Sequence, residues 1–281
     1  MSSHQWRKKH SLMIIRITPD GERIMDQGGQ GTVLDKGINI IVPKKPYLFD
    51  SEPMPEYGVR RISFAECKAF CQANHYMSGM GNSSTADFGL FDGAHLIGVI
   101  HFQTPGSEAT RAKIFGQDKA LRDRVTGLSR LVILDVTPKN TESRFIARAL
   151  SQLKEIKPHL KSVISFADLG WGHRGTIYRA TNAKFYGRTG LEPFWISPQG
   201  KWSGRYCCGV NRTPEWFAAN GWKYGGKSRK NRYCFLLPDG TTPAAIRRSR
   251  AQLESELAIK DLVAPYPTDE LSPNGYLRRA I

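Results

Sequence analysis

The chain has 281 residues, 40% hydrophobic and 23% charged, so it can bury a sizeable core, and this composition argues against wholesale disorder. No run approaches the roughly 18 apolar residues that span a bilayer, and we find no secretory signal in the sequence. The five cysteines are an odd number and are scattered along the chain, which fits reduced thiols better than a disulfide framework. We therefore expect a cytoplasmic protein with no membrane segment, whose net charge of +16 attracts polyanions.

Residues 1–57 are predicted to form a β-rich N-terminal extension. Residues 12–18 alternate apolar and polar side chains as a strand does, residues 19–21 form a Pro-Asp-Gly turn, and residues 38–42 form a second strand. The glycine-rich residues 28–31 lack the Lys-Ser/Thr ending of a phosphate-binding loop, so we interpret them as a turn.

Residues 58–196 have a different pattern, in which strands alternate with helices. Ser63 and Glu66 form a capping box that begins a helix after a short strand at residues 60–62, and this helix is predicted to end near His75. The elements that follow are a hairpin of strands at residues 87–91 and 96–102, a short helix, a strand at 128–136, a helix at 142–156, a strand at 163–167, a helix at 175–182 and a strand at 190–196.

The order β-α-β-β-β-α-β-α-β predicts an α/β (α+β) domain with a mixed, partly parallel sheet flanked by helices. Residues 197–242 are predicted to form a basic, β-rich extension of this domain. Residues 243–281 are predicted to form a charged C-terminal helix, at 243–262, followed by an extended tail.

The end of the strand at residues 163–167 is the first candidate site. Ligands of α/β proteins bind outside the carboxyl ends of parallel strands, and Asp168 stands at such an end. A glycine-rich loop with His173 and Arg174 follows, and then a helix with Tyr178, so this segment offers acids, bases and anion contacts. The alternative is structural: Asp168 caps the loop and Tyr178 packs in the core.

The turn before the helix at residues 142–156 is the second candidate site. A helix N-terminus presents free backbone N–H groups and a positive dipole end that bind anions. We predict that Lys139, Asn140, Ser143 and Arg144 bind an anionic cofactor there. An ordinary N-cap at Asn140 or Thr141 explains the same turn without a ligand.

Cys67, Cys71 and His75 share one face of the first predicted helix, because they are spaced at i, i+4 and i+8. Thiolates and imidazoles are zinc ligands, which makes this face a candidate metal site. The ligand spacing of a zinc finger is absent, however, and a buried helix face with small thiols explains the same pattern.

Residues 222–233 place cations beside aromatic rings and glycines, a composition typical of surfaces that bind nucleic acid. A solvated basic surface without a partner is the alternative, and the patch does not by itself distinguish DNA from RNA or an acidic protein. The candidate phosphate contacts are Arg174, Lys223, Lys227, Arg229, Lys230 and Arg232.

Several segments together resemble the phage Mom family. They are the helix ending in His75-Tyr76, the hairpin, Leu128-Ser-Arg130-Leu-Val, Asn140-Thr-Glu-Ser143-Arg, Ser165-Phe-Ala-Asp168, Gly172-His and Ile177-Tyr178. The resemblance covers residues 58–196, and it implies a fold like that of the GCN5-related N-acetyltransferases. It also implies an enzyme that transfers a carbamoylmethyl (acetamido) group to the exocyclic N6 amine of adenine in double-stranded DNA, which protects phage DNA from host restriction.

The resemblance also assigns roles by position. It implies that the catalytic residues are His75, Tyr76, Arg130, Ser143, Asp168 and Tyr178. It implies an iron ion, for which His75, Tyr76 and Asp168 are the candidate ligands. The adenine is expected to be flipped out of the duplex into a pocket lined by Tyr76, Trp171 and Tyr178, since an enclosed active site cannot reach it in the stack.

The coenzyme A pyrophosphate loop of the acetyltransferase fold, Q/R-x-x-G-x-G/A, is replaced here by residues 137–143, which contain no glycine. The donor is therefore left open between acetyl-CoA and another glycine- or acyl-derived molecule. Two other functions are consistent with the sequence. One is an acyl-CoA-dependent N-acetyltransferase that acts on a protein or small amine, and the other is a non-catalytic DNA-binding protein.

Overall fold

A computed structural model describes residues 56–263, except 76, 78, 135, 136, 205, 208 and 209, together with the strands at residues 13–17 and 23–27. For those two strands and for residues 206, 207 and 210 it describes the backbone alone. The predicted strand at residues 38–42, the side chain of Tyr76 and the tail after residue 263 lie outside the described residues.

Strands and helices follow one another along the described chain. The strands are β1 Met13–Ile17, β2 Arg23–Gln27, β3 Gly58–Arg61, β4 Ala86–Asp92, β5 His95–Gln103, β6 Val125–Ile133, β7 Ser162–Asp168, β8 Lys184–Arg188, β9 Glu192–Ile196, β10 Trp202–Gly204, β11 Tyr206–Cys207, β12 Val210–Asn211, β13 Lys223–Ser228 and β14 Lys230–Leu236. The helices are α1 Phe64–Asn74, α2 Glu108–Phe115, α3 Lys119–Arg122, α4 Thr141–Ile156, α5 Thr176–Ala180, α6 Pro214–Ala219 and α7 Pro243–Glu256, with 3-10 turns at Leu169–Trp171 and Lys260–Leu262.

The main sheet has seven strands in the order β3-β4-β5-β6-β7-β14-β8. β6 and β7 are parallel, and all the other neighbours are antiparallel. Helices cover both faces: α4 buries Phe145 and Leu153 in the main core on one side, whereas α2 and α7 bury Ile114 and Leu253 in a second cluster on the other. The predicted mixed sheet flanked by helices is therefore confirmed.

Helix α1 begins where the sequence places it. The Ser63 hydroxyl accepts a hydrogen bond from the Glu66 N–H at 3.2 Å, and the Glu66 carboxylate accepts one from the Ser63 N–H at 2.8 Å. The predicted capping box is confirmed, and it satisfies N–H groups that a helix end otherwise leaves without partners. The Ser63 hydroxyl and the Ser63 N–H both donate hydrogen bonds to the Glu66 carboxylate, and these lower the pKa of Glu66.

The main sheet extends past the boundary that the sequence predicts at residue 197. Strand β14 lies between β7 and β8 and pairs with both, and its Tyr233, Cys234 and Phe235 are buried. Local periodicity does not reveal this pairing, because β14 and its neighbour β7 are far apart in the chain. Strand β8 and helix α6 are likewise absent from the sequence-based prediction. The charged helix predicted at residues 243–262 ends at Glu256 as α7.

A smaller sheet, β10-β9-β13, is built from aromatic side chains. Phe194 stacks on Trp202 with ring centroids 3.9 Å apart, and Trp195 stacks on Phe217 at 4.1 Å. Strands β1 and β2 pair as an antiparallel hairpin, which confirms the strand predicted at residues 12–18. Among the helices of the described residues, none combines the length and the apolar character needed to cross a bilayer.

Strands β6 and β7 separate partway along their length. Their parallel pairing runs from Val125 opposite Ser162 to Leu128 opposite Ser165 and stops there, although β6 continues to Ile133 and β7 to Asp168. Beyond that point β6 pairs with β5 on its outer side, and β7 pairs with β14. The sheet is therefore forked, and the gap in the fork positions the candidate site.

Candidate active site

A cleft of about 1030 Å³ opens in the fork. One wall is formed by residues 127–133 of β6 and the other by residues 166–168 of β7 with the loop and helix that follow it. His75, Arg130, Asp168 and Tyr178, four of the six predicted catalytic residues, line this one cavity, and so does Trp171. The fork thus brings together side chains from four parts of the chain.

Asp168 is the last residue of β7 and is buried in the β7 wall of the cleft. Its Oδ1 atom accepts hydrogen bonds from the Gly170 N–H at 3.0 Å and from the Ser228 hydroxyl. The carboxylate therefore caps the 3-10 turn that follows, as the structural interpretation expects, and it also lines the cavity. The hydrogen bonds to Oδ1 therefore fix the orientation of the Asp168 carboxylate, which faces the cleft.

Tyr178 packs in the core and lines the cleft as well. Its ring lies 5.2 Å from Tyr233 and 5.7 Å from Phe235, centroid to centroid. Burial raises the pKa of its hydroxyl, and a hydrogen bond with the Ser165 side chain acts in the opposite direction. Because the Ser165 hydroxyl donates to the Leu128 carbonyl at 3.2 Å, Tyr178 is connected to the last paired residues of the fork.

The loop between Asp168 and α5 is held against β14. The Arg174 carbonyl accepts hydrogen bonds from the Tyr233 hydroxyl at 2.5 Å and from the Asn231 side chain at 3.2 Å. Gly175 has φ +84°, and a Cβ atom there would lie 2.3 Å from the Tyr233 ring. Only glycine fits at this position, because both the backbone conformation and the close approach exclude a side chain.

His75 follows α1 and lines the cleft beside Arg130. Burial lowers its pKa to about 2, and the positive charges of Arg130 and Lys201 act in the same direction. Its Nδ1 atom accepts a hydrogen bond from the Met77 N–H at 2.9 Å. The neutral ring therefore carries its proton on Nε2, where it can donate a hydrogen bond.

Arg130, on β6, is held by backbone carbonyls. Its guanidinium donates to the Ser129 carbonyl at 2.7 Å and to the Gly79 carbonyl. Behind it, a chain of polar side chains crosses the sheet and ends at a buried pair, Asp87 and His101, whose Oδ1 and Nδ1 atoms are 2.6 Å apart.

That chain connects the buried pair to Arg130 in three hydrogen bonds. The His101 Nε2 atom lies 3.2 Å from the Gln103 carbonyl oxygen, the Gln103 amide donates to the Ser129 hydroxyl at 3.0 Å, and Arg130 donates to that hydroxyl at 3.3 Å. Buried polar groups of this kind are stable only when all are paired. No local pattern in the sequence predicts this chain, because its members come from three different strands.

The start of α4 does not bring the predicted cofactor residues into the cleft. Lys139, Asn140, Ser143 and Arg144 are not among the lining residues, whereas Glu142 is. The Ser143 hydroxyl donates to the Asn140 carbonyl at 3.0 Å, and Asn140 begins the helix in a left-handed conformation without a side-chain cap. An acidic side chain thus faces the cavity where an anion site was expected, and the anion site stays a prediction.

The described residues do not form a closed iron site. His75 and Asp168 belong to no group of three His, Cys, Asp or Glu ligand atoms within 4.8 Å of one another in this part of the chain, and neither do Cys67, Cys71 and His75 together. Arg130 and Lys201 beside His75 also oppose a bound cation. The compact group that does occur is Cys67, Asp87 and His101. Iron therefore stays a prediction.

The predicted DNA-contacting residues fall in three places. Arg174 and Lys230 line the cleft, and Arg232 lines a smaller pocket beside it. Lys223 and Lys227 are exposed on β13, and Arg229 is half-buried. The basic residues 222–233 are thus divided between two sheets, with β13 in the smaller sheet and β14 in the main sheet.

Several site residues are missed by the sequence analysis. Ser228 binds Asp168, and Lys201 donates to the His75 carbonyl, but neither residue is near its partner in sequence or belongs to a motif. Phe166 does carry a signal: it follows a buried strand pattern yet is 36% exposed. An aromatic residue at the carboxyl end of a central strand is a candidate ligand contact.

Comparisons with known proteins point to one family. Residues 56–202 match the family model described as the Mom protein family. The chain is 29% identical over 149 residues to the methylcarbamoylase Mom of Escherichia phage Mu, and the alignment spans 52% of this chain and 59% of the phage protein.

Among solved structures, a Bacillus subtilis acetyltransferase in complex with CoA aligns with 65% of this chain and 99% of its own, at 7% identity and a TM-score of 0.37. An N-acetyltransferase from Staphylococcus aureus Mu50 gives the same coverage at 11% identity and a TM-score of 0.38. Because the family model matches more than half of the residues, including those that line the cleft from His75 to Glu192, the chain belongs to the Mom protein family.

Proposed function

We propose that this protein is a DNA-modification enzyme that transfers a carbamoylmethyl (acetamido) group to the exocyclic N6 amine of adenine in DNA and so protects phage DNA from host restriction in the host cytoplasm. One observation carries the proposal: a Mom-family chain gathers His75, Arg130, Asp168 and Tyr178 around one cleft. The methylcarbamoylase name of the phage Mu relative agrees with it.

The β7 wall supplies the proton acceptor. An aromatic amine is a weak nucleophile because its lone pair is shared with the ring, so it must lose a proton as the new bond forms. The N6 lone pair forms a bond to the methylene carbon of the donor, the donor's leaving group departs with the bonding pair, and the N6 proton passes to Asp168. Two donors already fix one oxygen of this carboxylate, which orients it for the transfer.

The β6 wall supplies hydrogen-bond donors. The Nε2–H of neutral His75 and the guanidinium of Arg130 stabilise negative charge on the donor's carbonyl or leaving group. The donor for this step is a glycine-derived molecule that carries its leaving group on the methylene carbon; acetyl-CoA, with no amide nitrogen and its leaving group on the carbonyl carbon, would give an N-acetyl group instead. The Glu142 carboxylate in the same cavity favours a donor whose reacting end is not strongly anionic.

The target adenine enters the cleft as a flipped nucleotide. A volume of about 1030 Å³ accommodates a base together with the reacting part of a donor. Trp171 and Tyr178 offer aromatic surfaces for the base, and Arg174 and Lys230 lie at the same cavity as phosphate contacts. The net charge of +16 supplies the general attraction to DNA.

Nucleoside mass spectrometry tests this function. DNA from bacterial cells that express the protein should contain a deoxyadenosine in which one carbamoylmethyl group replaces a hydrogen, and fragmentation should place that group on N6. The same DNA should resist cleavage by restriction enzymes that have adenine in their sites. Unmodified DNA in cells that contain folded protein would refute the proposal.

A further inference from the structure

A second pocket, of about 410 Å³, lies beside the cleft and is strongly basic. Lys113 of α2, Arg188 of β8 and Arg232 of β14 line it, together with Tyr186. None of its lining residues within the described chain is acidic. Three cations from three different elements, with no carboxylate between them, form a site for an anion.

Tyr186 contributes a hydroxyl that lacks a partner. The residue is 1% exposed, and its hydroxyl makes no hydrogen bond to any other described residue. The Nε atom of Arg232 is likewise buried and without a hydrogen bond there. Burial raises the pKa of Tyr186, so the hydroxyl keeps its proton and can donate. A buried donor without an acceptor costs free energy, and a bound anion would supply the acceptor.

The backbone leaves room for the arginine beside this hydroxyl. The Arg232 guanidinium carbon lies 5.1 Å from the centre of the Tyr186 ring. Gly187, with φ +99°, places no side chain there, and a Cβ atom would lie 3.1 Å from Arg232 Nη2. The guanidinium thus lies over the ring beside a backbone position where only glycine avoids strain.

This pocket adjoins the cleft. Thr110, Phe166 and Thr189 line both cavities. Phe166 is 36% exposed and stands directly opposite Arg232 in the pairing of β7 with β14. An exposed ring next to a cation is a surface on which a sugar or base can stack.

We propose that the Lys113–Arg188–Arg232–Tyr186 pocket binds a phosphate group, and we assign that phosphate to the DNA backbone next to the modified adenine. This inference rests on the proposed function, because the adenine occupies the cleft on the other side of Phe166. The phosphate accepts hydrogen bonds from the Tyr186 hydroxyl and the Arg232 guanidinium, with Arg188 and Lys113 at its outer side. The pocket therefore fixes the position of the DNA strand relative to Asp168.

Tyr186→Phe is the sharpest test. The substitution removes one hydroxyl that has no described partner, so the melting temperature of the free protein should stay the same or rise. Affinity for a short fluorescein-labelled DNA duplex, measured by anisotropy, should fall several-fold, as expected for one lost hydrogen bond to a charged group. Unchanged DNA affinity in the folded variant would overturn the assignment of the hydroxyl.

Arg232→Met and Lys113→Ala test the charges. Each should weaken DNA binding, with Arg232→Met weakening it by roughly tenfold, and each should reduce the slope of log affinity against log salt by about 1. The matched control is Lys119→Ala, which removes an exposed cation that lines neither cavity. Equal effects of Lys113→Ala and Lys119→Ala would overturn the pocket in favour of general surface charge.

Coenzyme A, titrated calorimetrically into the same variants, separates the two sources of phosphate. Unchanged coenzyme A binding together with weaker DNA binding supports the DNA assignment. Weaker coenzyme A binding with unchanged DNA affinity overturns it and makes this a donor site. DNA affinity is measured with unreacted DNA, so these experiments test the phosphate pocket even if nucleoside analysis refutes the proposed reaction.

Discussion

The β6 wall of the cleft presents hydrogen-bond donors, whereas the β7 wall presents an acceptor, and the two walls are supported differently. Arg130 on β6 is held from behind by a chain of side chains that crosses three strands to Asp87. Asp168 on β7 is held locally, by the turn that follows it and by Ser228. The donor side thus depends on distant packing, and the acceptor side depends on loop conformation.

This difference predicts different sensitivities. Variants in the loop after β7 should damage activity and stability together, because the same backbone holds both the loop and the carboxylate. Variants in the chain behind Arg130 should first cost stability, because its groups are paired with one another and the chain ends at the buried Asp87–His101 pair. Four experiments test this distinction, beginning with the largest expected effect.

Asp168→Asn should reduce DNA modification by roughly a hundredfold to ten-thousandfold, the range lost when a general base is removed. The amide can still cap the turn, so the free energy of unfolding should change little. Rates are measured by nucleoside mass spectrometry on DNA incubated with purified protein and donor, or by in vivo modification levels until the donor is identified. Asp239→Asn, in an exposed ion pair with Lys161, is the control. Full activity of Asp168→Asn would remove Asp168 from the chemistry.

Gly175→Ala should lower the free energy of unfolding by about 3 kcal/mol, from backbone strain at φ +84° together with the clash against Tyr233. Urea denaturation followed by tryptophan fluorescence measures the change. Gly106→Ala is the matched control, since a Cβ atom there meets nothing within 4 Å. A Gly175→Ala protein as stable as the control would show that the loop is not held against β14.

Gln103→Leu should cost about 2 kcal/mol of stability, because it leaves the His101 ring nitrogen and the Ser129 hydroxyl each without one buried partner. Its effect on modification should be smaller than that of Asp168→Asn and should follow the loss of order at Arg130. Gln152→Leu, which removes a single amide hydrogen bond to the Val59 carbonyl outside the cleft, is the comparison. Equal losses in the two variants would argue against a connected chain.

Stability should also fall with acidification in a way that depends on His75. Its pKa is about 2 in the folded protein and near the ordinary 6.5 in the unfolded chain, so the unfolded chain binds the proton first. Stability is therefore full above pH 6.5 and decreases by about 1.4 kcal/mol per pH unit below it. His75→Gln should flatten this slope in denaturation series between about pH 7 and pH 5. A parallel slope for His75→Gln would show that the ring is not buried as a neutral group.

The fold is largely predictable because its signals are local. The capping box at Ser63 and the helical spacing of Phe145 and Leu153 are short-range patterns, and both are confirmed. The pairing of β14 with β7 is not predictable, because it depends on a contact between segments that are distant in sequence. For the same reason, the sequence predicts a boundary at residue 197, whereas the main sheet continues beyond it to β14.

The site divides along the same line. A strand end in the sequence indicates Asp168 and Tyr178, and the cleft contains both. Arg130 enters only through the family resemblance. Local spacing indicates His75 only as a candidate metal ligand beside Cys67 and Cys71, and its place in the cleft follows from the resemblance alone. Ser228 and Gln103 are not predicted at all, because a hydrogen bond to a residue on another strand produces no periodic pattern in the sequence. Ser143 is expected in the site but does not line the cavity.

The fork between β6 and β7 has a consequence for aggregation. Past Leu128 and Ser165 the two strands face each other without pairing, which amounts to a sheet edge in the interior of the molecule. An ordinary outer edge invites pairing with another chain and therefore aggregation. Here the two unpaired stretches face each other across the cleft, in the middle of the strand order and not at its outer edges β3 and β8. The fork therefore offers a ligand in the cleft the recognition capacity of an open edge without adding an outer edge to the sheet.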